Sequence, residues 1–341
     1  MLTGLLIIFP ILAAIVVLFL RGKVARNTAL FFSIAELALS VFVLAQYLQN
    51  PSSSLLSLDC TWISSIGAKF SVGLDGISIL LVLLTTVLFP LIILSSFSSD
   101  YSRPNSLYSL MLLMQMALVG VFVARDGFLF YIFWELALIP IYFICLLWGG
   151  DNRAKITFKF FVYTLFGSLF MLIALIYLYT ATGTSGMPKS WAMNDLYSAG
   201  RSLLPEKQSV VFWFIFLAFA IKIPVFPLHT WQPDTYVTAP TQGTMLLSGI
   251  MLKMGTFGVI RWLIPVVPKA VEQWAPLAIG LSVIGIIYAS VIAIMQKDYK
   301  RLIAYSSIAH VGLISAGILA MNQQGLQGAV VQMLKIGRAH V

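Results

Sequence analysis

The sequence predicts an all-α polytopic membrane protein with about ten transmembrane helices and part of an eleventh. Of its 341 residues, 60% are hydrophobic and only 10% are charged, and the mean hydropathy is +0.96. A soluble domain carries roughly a quarter charged residues. The apolar residues come in runs of about twenty, the length of a bilayer-spanning helix. The net charge of +9 is scattered over loops. Together these observations exclude a disordered chain, a nucleic-acid-binding protein and a disulfide scaffold.

Apolar runs between polar breaks define the predicted spans. The first run lacks a preceding basic segment and a small-residue cleavage site before Arg21, so we expect it to stay in the membrane rather than act as a signal peptide. Loops after odd-numbered spans carry more lysine and arginine, which predicts an outward-facing N-terminus and outward-facing long loops at 49–74 and 182–209. The predicted spans lie near residues 3–20, 28–48, 76–97, 107–124, 127–148, 157–181, 210–229, 241–262, 276–296 and 302–321, with a fragment from 325.

Acidic residues mark three of the early spans. The second span contains Glu36, for which the sequence suggests no partner; a protonated carboxyl group and a contact with another subunit both remain open. Spans three and five begin after Asp75 and Asp126, where an acid favours a helix N-terminus, so we expect both residues to cap helices.

Cys60 and Cys145 have no CxxC spacing, and we predict no zinc or iron–sulfur site.

Four ionisable side chains are predicted to lie at a similar depth in four different spans: Glu135, Lys222, Lys253 and His310. A charged side chain at the bilayer centre costs at least roughly 2.5–3.5 kcal/mol, so several such groups must be paired, hydrated or used. We interpret the layer as a lateral path for protons. A purely structural ion pair between Glu135 and Lys222 is the alternative for that pair taken alone.

The seventh span contains a predicted helix break directly after Lys222. Pro224 and Pro227 remove backbone donors and clash with carbonyl groups one turn earlier. Transporters place such breaks at their ion sites. Burial favours a neutral Lys222 and a nearby carboxylate favours the ammonium form, so movement of one charge would switch its proton affinity. His229 and Asp234 follow the break, where lining an access path and capping the next helix are equally open roles.

The eighth span presents the second lysine of the layer. Lys253 has no acidic residue on its own span, and an unpaired buried lysine tends to be neutral and able to accept a proton. Gly249 and Gly255 flank it and favour close packing of neighbouring helices.

Several stretches resemble the antiporter-like membrane subunits of respiratory complex I (NADH-quinone oxidoreductase), above all those of the subunit M type. The combination covers residues 1–334 and is specific. It comprises Phe133-Trp134-Glu135-Leu136 with Ile139-Pro140, Lys159-Phe160-Phe161-Val162-Tyr163-Thr164 with Gly167-Ser168, Lys222-Ile223-Pro224 to Pro240-Thr241, Leu252-Lys253-Met254-Gly255, and Tyr305-Ser306-Ser307-Ile308-Ala309-His310.

The resemblance implies a fourteen-helix fold built on two inverted repeats, each with a broken helix. It implies three N-terminal helices in 1–106, a first repeat in 107–262 and the start of a second in 276–334. It further implies that Glu135 and Lys222 form the charge pair of helices five and seven. Lys253 is then the central relay and His310 a further one.

The resemblance also implies a division of labour between subunits. The chain would translocate protons and hold no cofactor, while NADH, FMN, iron–sulfur clusters and quinone belong to partner subunits. Its partners would be other membrane subunits of complex I, including neighbouring antiporter-like ones, in the bacterial cytoplasmic membrane. No nucleic-acid partner is expected.

The last seven residues depart from the resemblance. Where the family continues with a histidine–glycine motif and further helices, this chain reads Lys335-Ile336-Gly337-Arg338-Ala339-His340-Val341. A common short-read sequencing adapter translates to that heptapeptide. We therefore expect residues 335–341 to be an assembly artefact, His340 to have no role, and the protein to continue beyond Leu334.

Two other functions remain open on the sequence. One is a subunit of a multisubunit sodium/proton antiporter, which has the same helices. The other is a structural membrane subunit in which the buried charges only fix helix packing.

Overall fold

A computed structural model describes residues 1–183 and 188–339, with side chains described up to residue 335. Within these residues, nine helices are long and apolar enough to cross a membrane. They agree with nine of the ten predicted spans. The α-helices are α1 (Leu2–Phe19), α2 (Gly22–Gln49), α3 (Gly76–Ser95), α4 (Pro104–Val123), α5 (Gly127–Leu136), α6 (Leu138–Trp148), α7 (Arg153–Thr182), α8 (Met193–Ser202), α9 (Pro205–Lys222), α10 (Gln232–Thr238), α11 (Thr241–Leu246), α12 (Leu252–Gly258), α13 (Pro268–Ile294), α14 (Tyr299–Leu319) and α15 (Gln323–Ala339).

Two of the membrane-spanning helices are composite. α5 and α6 run on from one another as Gly127–Trp148, and α11 and α12 belong to Thr241–Leu263. In the latter helix, π-helical turns at Leu247–Met251 and Val259–Leu263 follow α11 and α12 respectively. The predicted partial eleventh helix is α15. Of the suspected artefact segment 335–341, the last two residues lie outside the described part of the chain.

The predicted seventh span, 210–229, is wrong in its second half. Its helix, α9, begins at Pro205 and ends at Lys222, and residues 223–231 form turns. The proline at 224 cannot donate to the carbonyl one turn earlier and so stops the helix. α9 packs against α7, α12 and α13.

The described chain is mostly helical, as predicted, and a β-hairpin lies in the first long loop. β1 (Ser57–Ile63) pairs antiparallel with β2 (Ala68–Gly73). The second long loop contains α8. The two loops meet over the start of α5: Phe128 lies 6.3 Å from Trp62 and 5.5 Å from Trp191, measured between ring centroids. They therefore occupy the same face of the molecule, as the predicted topology requires.

Asp75 and Asp126 cap helices, as predicted. Each carboxylate accepts hydrogen bonds from the backbone N–H groups of the second and third residues of the following helix, α3 and α5 respectively. Such caps stabilise a helix by about 0.5–2 kcal/mol. Asp126 also accepts from Lys69 N of β2, and Asp75 forms an ion pair with Arg261. Burial raises the pKa of the Asp126 carboxyl group, although its three backbone hydrogen bonds act in the opposite direction.

The helices form two packed groups around the broken helix. α1 packs against α4 and α2 against α3, with α4 almost wholly buried. On the other side α13 packs against α14, and α14 against α10 and α15. α12 contacts α4, α9 and α14, so the Lys253 helix lies between the two groups.

Candidate functional site

Lys222 is the last residue of α9, and its side chain is only 2% exposed. Its Nζ atom lies 5.3 Å from the centroid of the Trp134 ring on α5, a cation–π distance. The next residue on α5, Glu135, interacts electrostatically with Lys222. The structure thus brings together the two members of the predicted pair, with an indole ring against the ammonium group.

Glu135 lies among hydroxyl groups as well as next to the lysine. Its carboxylate interacts with the side chains of Tyr131, one turn earlier on α5, and Ser168 on α7. One carboxylate oxygen, Oε1, is buried and has no hydrogen-bonding partner among the described residues. An unsatisfied buried oxygen of this kind accepts a proton or an internal water molecule readily.

The helix break exposes carbonyl groups that the surrounding chain then satisfies. Because Pro224 has no N–H, the Ala220 carbonyl accepts instead from Val225 N at 2.8 Å. The Ile221 carbonyl loses its usual donor and accepts from Trp231 Nε1 at 2.9 Å. The carbonyl groups that the break frees beside Lys222 therefore keep hydrogen-bonding partners within the protein.

Lys253, which is 1% exposed, is satisfied in a different way. Its Nζ atom donates to the backbone carbonyl of Ser248 at 2.6 Å. Ser248 lies in the π-helical turn that precedes α12, where the wider turn changes the backbone hydrogen-bonding pattern. Turns of this type occur often at functional sites. Lys253 forms no salt bridge with any described residue.

The two lysine helices meet at Gly255. A Cβ atom at that position would lie 2.6 Å from Ile223 Cγ1 and 3.3 Å from both Ile223 N and Phe219 O. Only glycine allows this approach, because backbone atoms at the end of α9 cannot move aside as a side chain would. The end of the Lys222 helix is thus seated directly on the helix that carries Lys253.

His229 lies in the turns after the break and is 4% exposed. Its ring stacks on Phe226 and meets Tyr288 of α13 edge-on, with centroids 5.7 and 5.2 Å away. Nδ1 is buried and has no hydrogen-bonding partner in the described part of the chain. The histidine therefore belongs to the core beside the break, whether or not it lines a path.

Asp234 occupies the first turn of α10 but makes no side-chain cap there. Its carboxylate instead pairs with Lys159 of α7 at 3.5 Å and Arg301 of α14 at 3.4 Å. In the structure, Asp234 connects three helices, α7, α10 and α14, through these ion pairs.

Sequence reasoning missed the cations that hold the segment after the break. Lys159 Nζ also donates to the Thr230 carbonyl at 3.0 Å, and Lys300 Nζ donates to the Val237 and Ala239 carbonyls at the end of α10. A lysine at a helix C-terminus satisfies free carbonyls and opposes the helix dipole. The available signals were basic residues near the start of two helices, Lys159 on α7 and Lys300 and Arg301 on α14.

His310 is not brought into this group. It lies on α14 with its side chain exposed on the surface of the described chain. The predicted common depth therefore yields two buried amines, Lys222 and Lys253, one partly buried carboxylate, Glu135, and one exposed group.

The arrangement suits proton transfer. It combines a carboxylate, two buried amines and nearby hydroxyl groups, which bind and release protons without a metal or redox group. Within the described residues, there is no cluster of three or more His, Cys, Asp or Glu side chains that could hold a metal ion.

Three comparisons place these features among known proteins. The family described as "NADH:quinone oxidoreductase/Mrp antiporter, TM" matches residues 124–338. The chain is 40% identical over 309 residues to NADH-quinone oxidoreductase subunit M of Rickettsia typhi, across 91% of this chain and 61% of that relative. The chain thus spans less than two thirds of that relative's length.

Solved structures share the fold. A chain of respiratory complex I from Thermus thermophilus with bound NADH aligns with a TM-score of 0.86 and 28% identity, covering 100% of this chain and 71% of its own. A chain of the Mrp complex from Dietzia sp. DQ12-45-1b aligns with a TM-score of 0.86 at 20% identity, covering 99% of this chain and 36% of its own. That identity shows a shared fold only.

The family match includes the end of α9, the break after it and the helix that carries Lys253. The resemblance stated from the motifs is therefore confirmed, together with a helical membrane fold of the antiporter-like kind. The chain belongs to the NADH:quinone oxidoreductase/Mrp antiporter transmembrane family.

Proposed function

We propose that the chain is a proton-translocating membrane subunit of an NADH-quinone oxidoreductase. One observation carries the proposal: a buried lysine at the end of a broken helix lies beside a carboxylate and is seated on the helix of a second buried lysine. Redox chemistry in other subunits would supply the driving force, and this chain would hold no cofactor.

Protons are proposed to pass along Glu135, Lys222 and Lys253, with His310 as a further relay. Movement of charge at Glu135 would change the proton affinity of Lys222, because a carboxylate stabilises the ammonium form that burial destabilises. A potential of 100 mV opposes each proton with about 2.3 kcal/mol. Adding or removing one buried neighbouring charge produces electrostatic changes of that size.

His310 joins the proposal through the family resemblance. Its imidazole is exposed in the described chain, so its role as a relay rests on the resemblance. His229, with a free buried nitrogen next to the break, and Asp234 are proposed to lie along the access path to Lys222.

The proposed setting is the bacterial cytoplasmic membrane, with the N-terminus outside. The hairpin and α8 would then share the outer face, and the Lys159, Lys300 and Arg301 cluster the inner one. The proposed partners are other membrane subunits of complex I, including neighbouring antiporter-like subunits.

The decisive experiment replaces Glu135 by Gln and Lys222 by Met in the complete protein, within its membrane complex. Proton uptake driven by NADH is measured in inverted vesicles, with NADH oxidation by an artificial acceptor as the assembly control. We expect uptake to fall by roughly tenfold or more, the effect of about 1.4 kcal/mol on the limiting step.

Matched controls lie at the exposed start of α9. Lys207→Met and Glu206→Gln make the same chemical changes on that helix outside the buried pair, and both should leave uptake intact. Normal uptake in Glu135→Gln and Lys222→Met would leave only a structural role for the pair.

The family also includes Mrp antiporters, which gives a second candidate, a sodium/proton antiporter subunit. The same vesicles separate the two functions. Proton movement that requires sodium and proceeds without NADH would favour the antiporter.

A further inference from the structure

A second buried acid lies outside the group already described. Glu36 of α2 is 1% exposed, and neither of its carboxylate oxygens has a hydrogen-bonding partner in the described part of the chain. It belongs to the buried stripe of α2, otherwise made of small residues: Ala25, Ala29, Ser33, Ser40 and Val43. An acid in such a stripe is costly unless it is neutral or hydrated.

Among the residues that the structure describes, no cation is paired with this acid. α2 packs against α1, α3 and α4, and none of these three helices contains a lysine, arginine, histidine, aspartate or glutamate. The titratable side chain on α4 is Tyr108, whose hydroxyl bonds to Ser96. The basic residue of α2 nearest in sequence, Arg26, contacts the Phe97 ring and carbonyl instead. A salt bridge therefore does not explain the position of Glu36.

Gln115 of α4 is a second buried polar side chain without hydrogen-bonding partners among the described residues. It is 0% exposed, and neither its amide nitrogen nor its amide oxygen has a partner among the described residues. Ser40 of α2 bonds to Thr86 of α3 at 2.7 Å, and Tyr108 of α4 bonds at 2.7 Å to Ser96, the residue directly after α3. With a rise of 1.5 Å per residue, these contacts place Glu36 about 9 Å and Gln115 about 10 Å from the level of Ser96.

The two side chains also lie on helix faces that meet α3. Glu36 is one turn from Ser40, on the side of α2 that meets α3, and Gln115 is two turns from Tyr108, on the side of α4 that meets α3. A protonated carboxyl group is a donor, and the amide oxygen of Gln115 is an acceptor. Together they can satisfy each other, directly or through an internal water molecule.

Buried hydroxyl groups on α2 and α3 lie near the depth of this acid and of Lys253. Beyond the Ser40–Thr86 bond lies Thr85, also fully buried on α3. On the far side of α3, Gly249 lies against Leu88, at 3.2 Å for a Cβ atom. Gly249 adjoins Ser248, whose carbonyl binds the Lys253 ammonium group. The acid, the hydroxyl groups and the amine thus lie within about two helical turns of one another in depth.

We propose that Glu36, paired with Gln115, is a second proton-binding site that exchanges protons with Lys253 through Ser40 and the threonines of α3. The exchange role rests on the proposed function, whereas the binding site itself does not. Transfer breaks the carboxyl O–H bond and forms an O–H bond to the next hydroxyl or water oxygen. The displaced proton moves onward, so Lys253 gains a proton as Glu36 becomes a carboxylate.

Infrared difference spectra of the purified complete complex test the site without any requirement for pumping. A protonated Glu36 contributes a carboxylic C=O band that shifts in D₂O. We expect Glu36→Gln to remove that band, Glu36→Asp to restore a shifted one, and Gln115→Leu to move it to higher frequency as the hydrogen bond is lost. If the band persists in Glu36→Gln, the proposal is overturned. The same holds if Gln115→Leu leaves the frequency of the band unchanged.

Deuterium exchange of the same band tests the connection. Thr86→Val and Lys253→Met should slow exchange severalfold, because each interrupts the route to Glu36. Thr157→Val is the matched control, because this buried threonine lies on α7, away from α2. Equal exchange rates in all three variants would show that Glu36 does not exchange protons with Lys253 by this route. If Glu135→Gln and Lys222→Met pump normally while the band behaves as expected, the proposed function fails and the binding site stands.

Discussion

The two buried lysines of this chain are stabilised in opposite ways. Lys222 ends a broken helix and has external partners, the ring of Trp134 and the charge of Glu135. Lys253 lies within a continuous helix and bonds to the backbone of that same helix, at Ser248. One site therefore depends on a neighbouring helix, and the other on the geometry of its own.

Under the proposed function, this difference would divide the roles of the two lysines. The proton affinity of Lys222 responds to a charge that can move or be neutralised, so it suits a switch. The affinity of Lys253 is set by a fixed carbonyl dipole and by burial, so it suits a relay with a constant value. The contact at Gly255 joins the two, because it seats the end of one helix on the other.

The largest expected effect is energetic coupling at one site and its absence at the other. In a double-mutant cycle for the free energy of unfolding, Glu135→Gln and Lys222→Met should be non-additive by about 1–3 kcal/mol. Glu135→Gln and Lys253→Met should add to within about 0.5 kcal/mol. Denaturant titration of the purified complete protein measures both cycles. Equal coupling in the two cycles would erase the distinction between the lysines.

The next effect concerns the close contact at Gly255 between the end of α9 and α12. Gly255→Ala places a methyl group against the backbone of Ile223 and should lower the free energy of unfolding by about 1–3 kcal/mol. Gly249→Ala meets only the flexible end of Leu88, and alanine favours a helix by about 1 kcal/mol, so its net effect should be near zero. Thermal unfolding of the two variants gives the comparison. A larger loss of stability for Gly249→Ala than for Gly255→Ala would contradict a close contact between α9 and α12 at Gly255.

The smallest expected effect is at the ion pairs beyond the break. Asp234→Asn removes two partly exposed pairs, with Lys159 and Arg301, each worth about 0.2–1 kcal/mol. The loss should shrink at high salt, because screening already weakens exposed pairs. Asp195→Asn, at an exposed aspartate of α8 without an ion pair among the described residues, is the control. A salt-independent loss would point to a buried role for Asp234.

Much of the fold could be predicted because a membrane imposes simple length and hydropathy limits. The spans followed from apolar runs, the caps from Asp75 and Asp126, and the end of α9 from Pro224. The β-hairpin at 57–73 was missed because alternation in an extramembrane loop gives no comparable signal. The helix boundary after Lys222 was placed correctly, but residues 223–229 were still counted within the span.

The site was partly predictable for a similar reason. Hydrocarbon makes every deep charge conspicuous, so Glu135, Lys222 and Lys253 were evident in the sequence. Depth along a helix does not fix the direction in which a side chain points, so the sequence could not show that His310 lies outside the buried group. The π-helical turn that satisfies Lys253 has no residue signature, because it depends on how the helix packs rather than on which residues form it.

That turn has a genetic consequence. A π-helical turn accommodates one residue more than an α-helical turn, so Leu247–Met251 contains a spare position. Deleting a single codon there would therefore close the wide turn to an ordinary α-helical one, and the residues after it would keep their orientation. Hydropathy and composition would stay almost the same, but Lys253 would lose the widened turn in which the Ser248 carbonyl accepts its hydrogen bond.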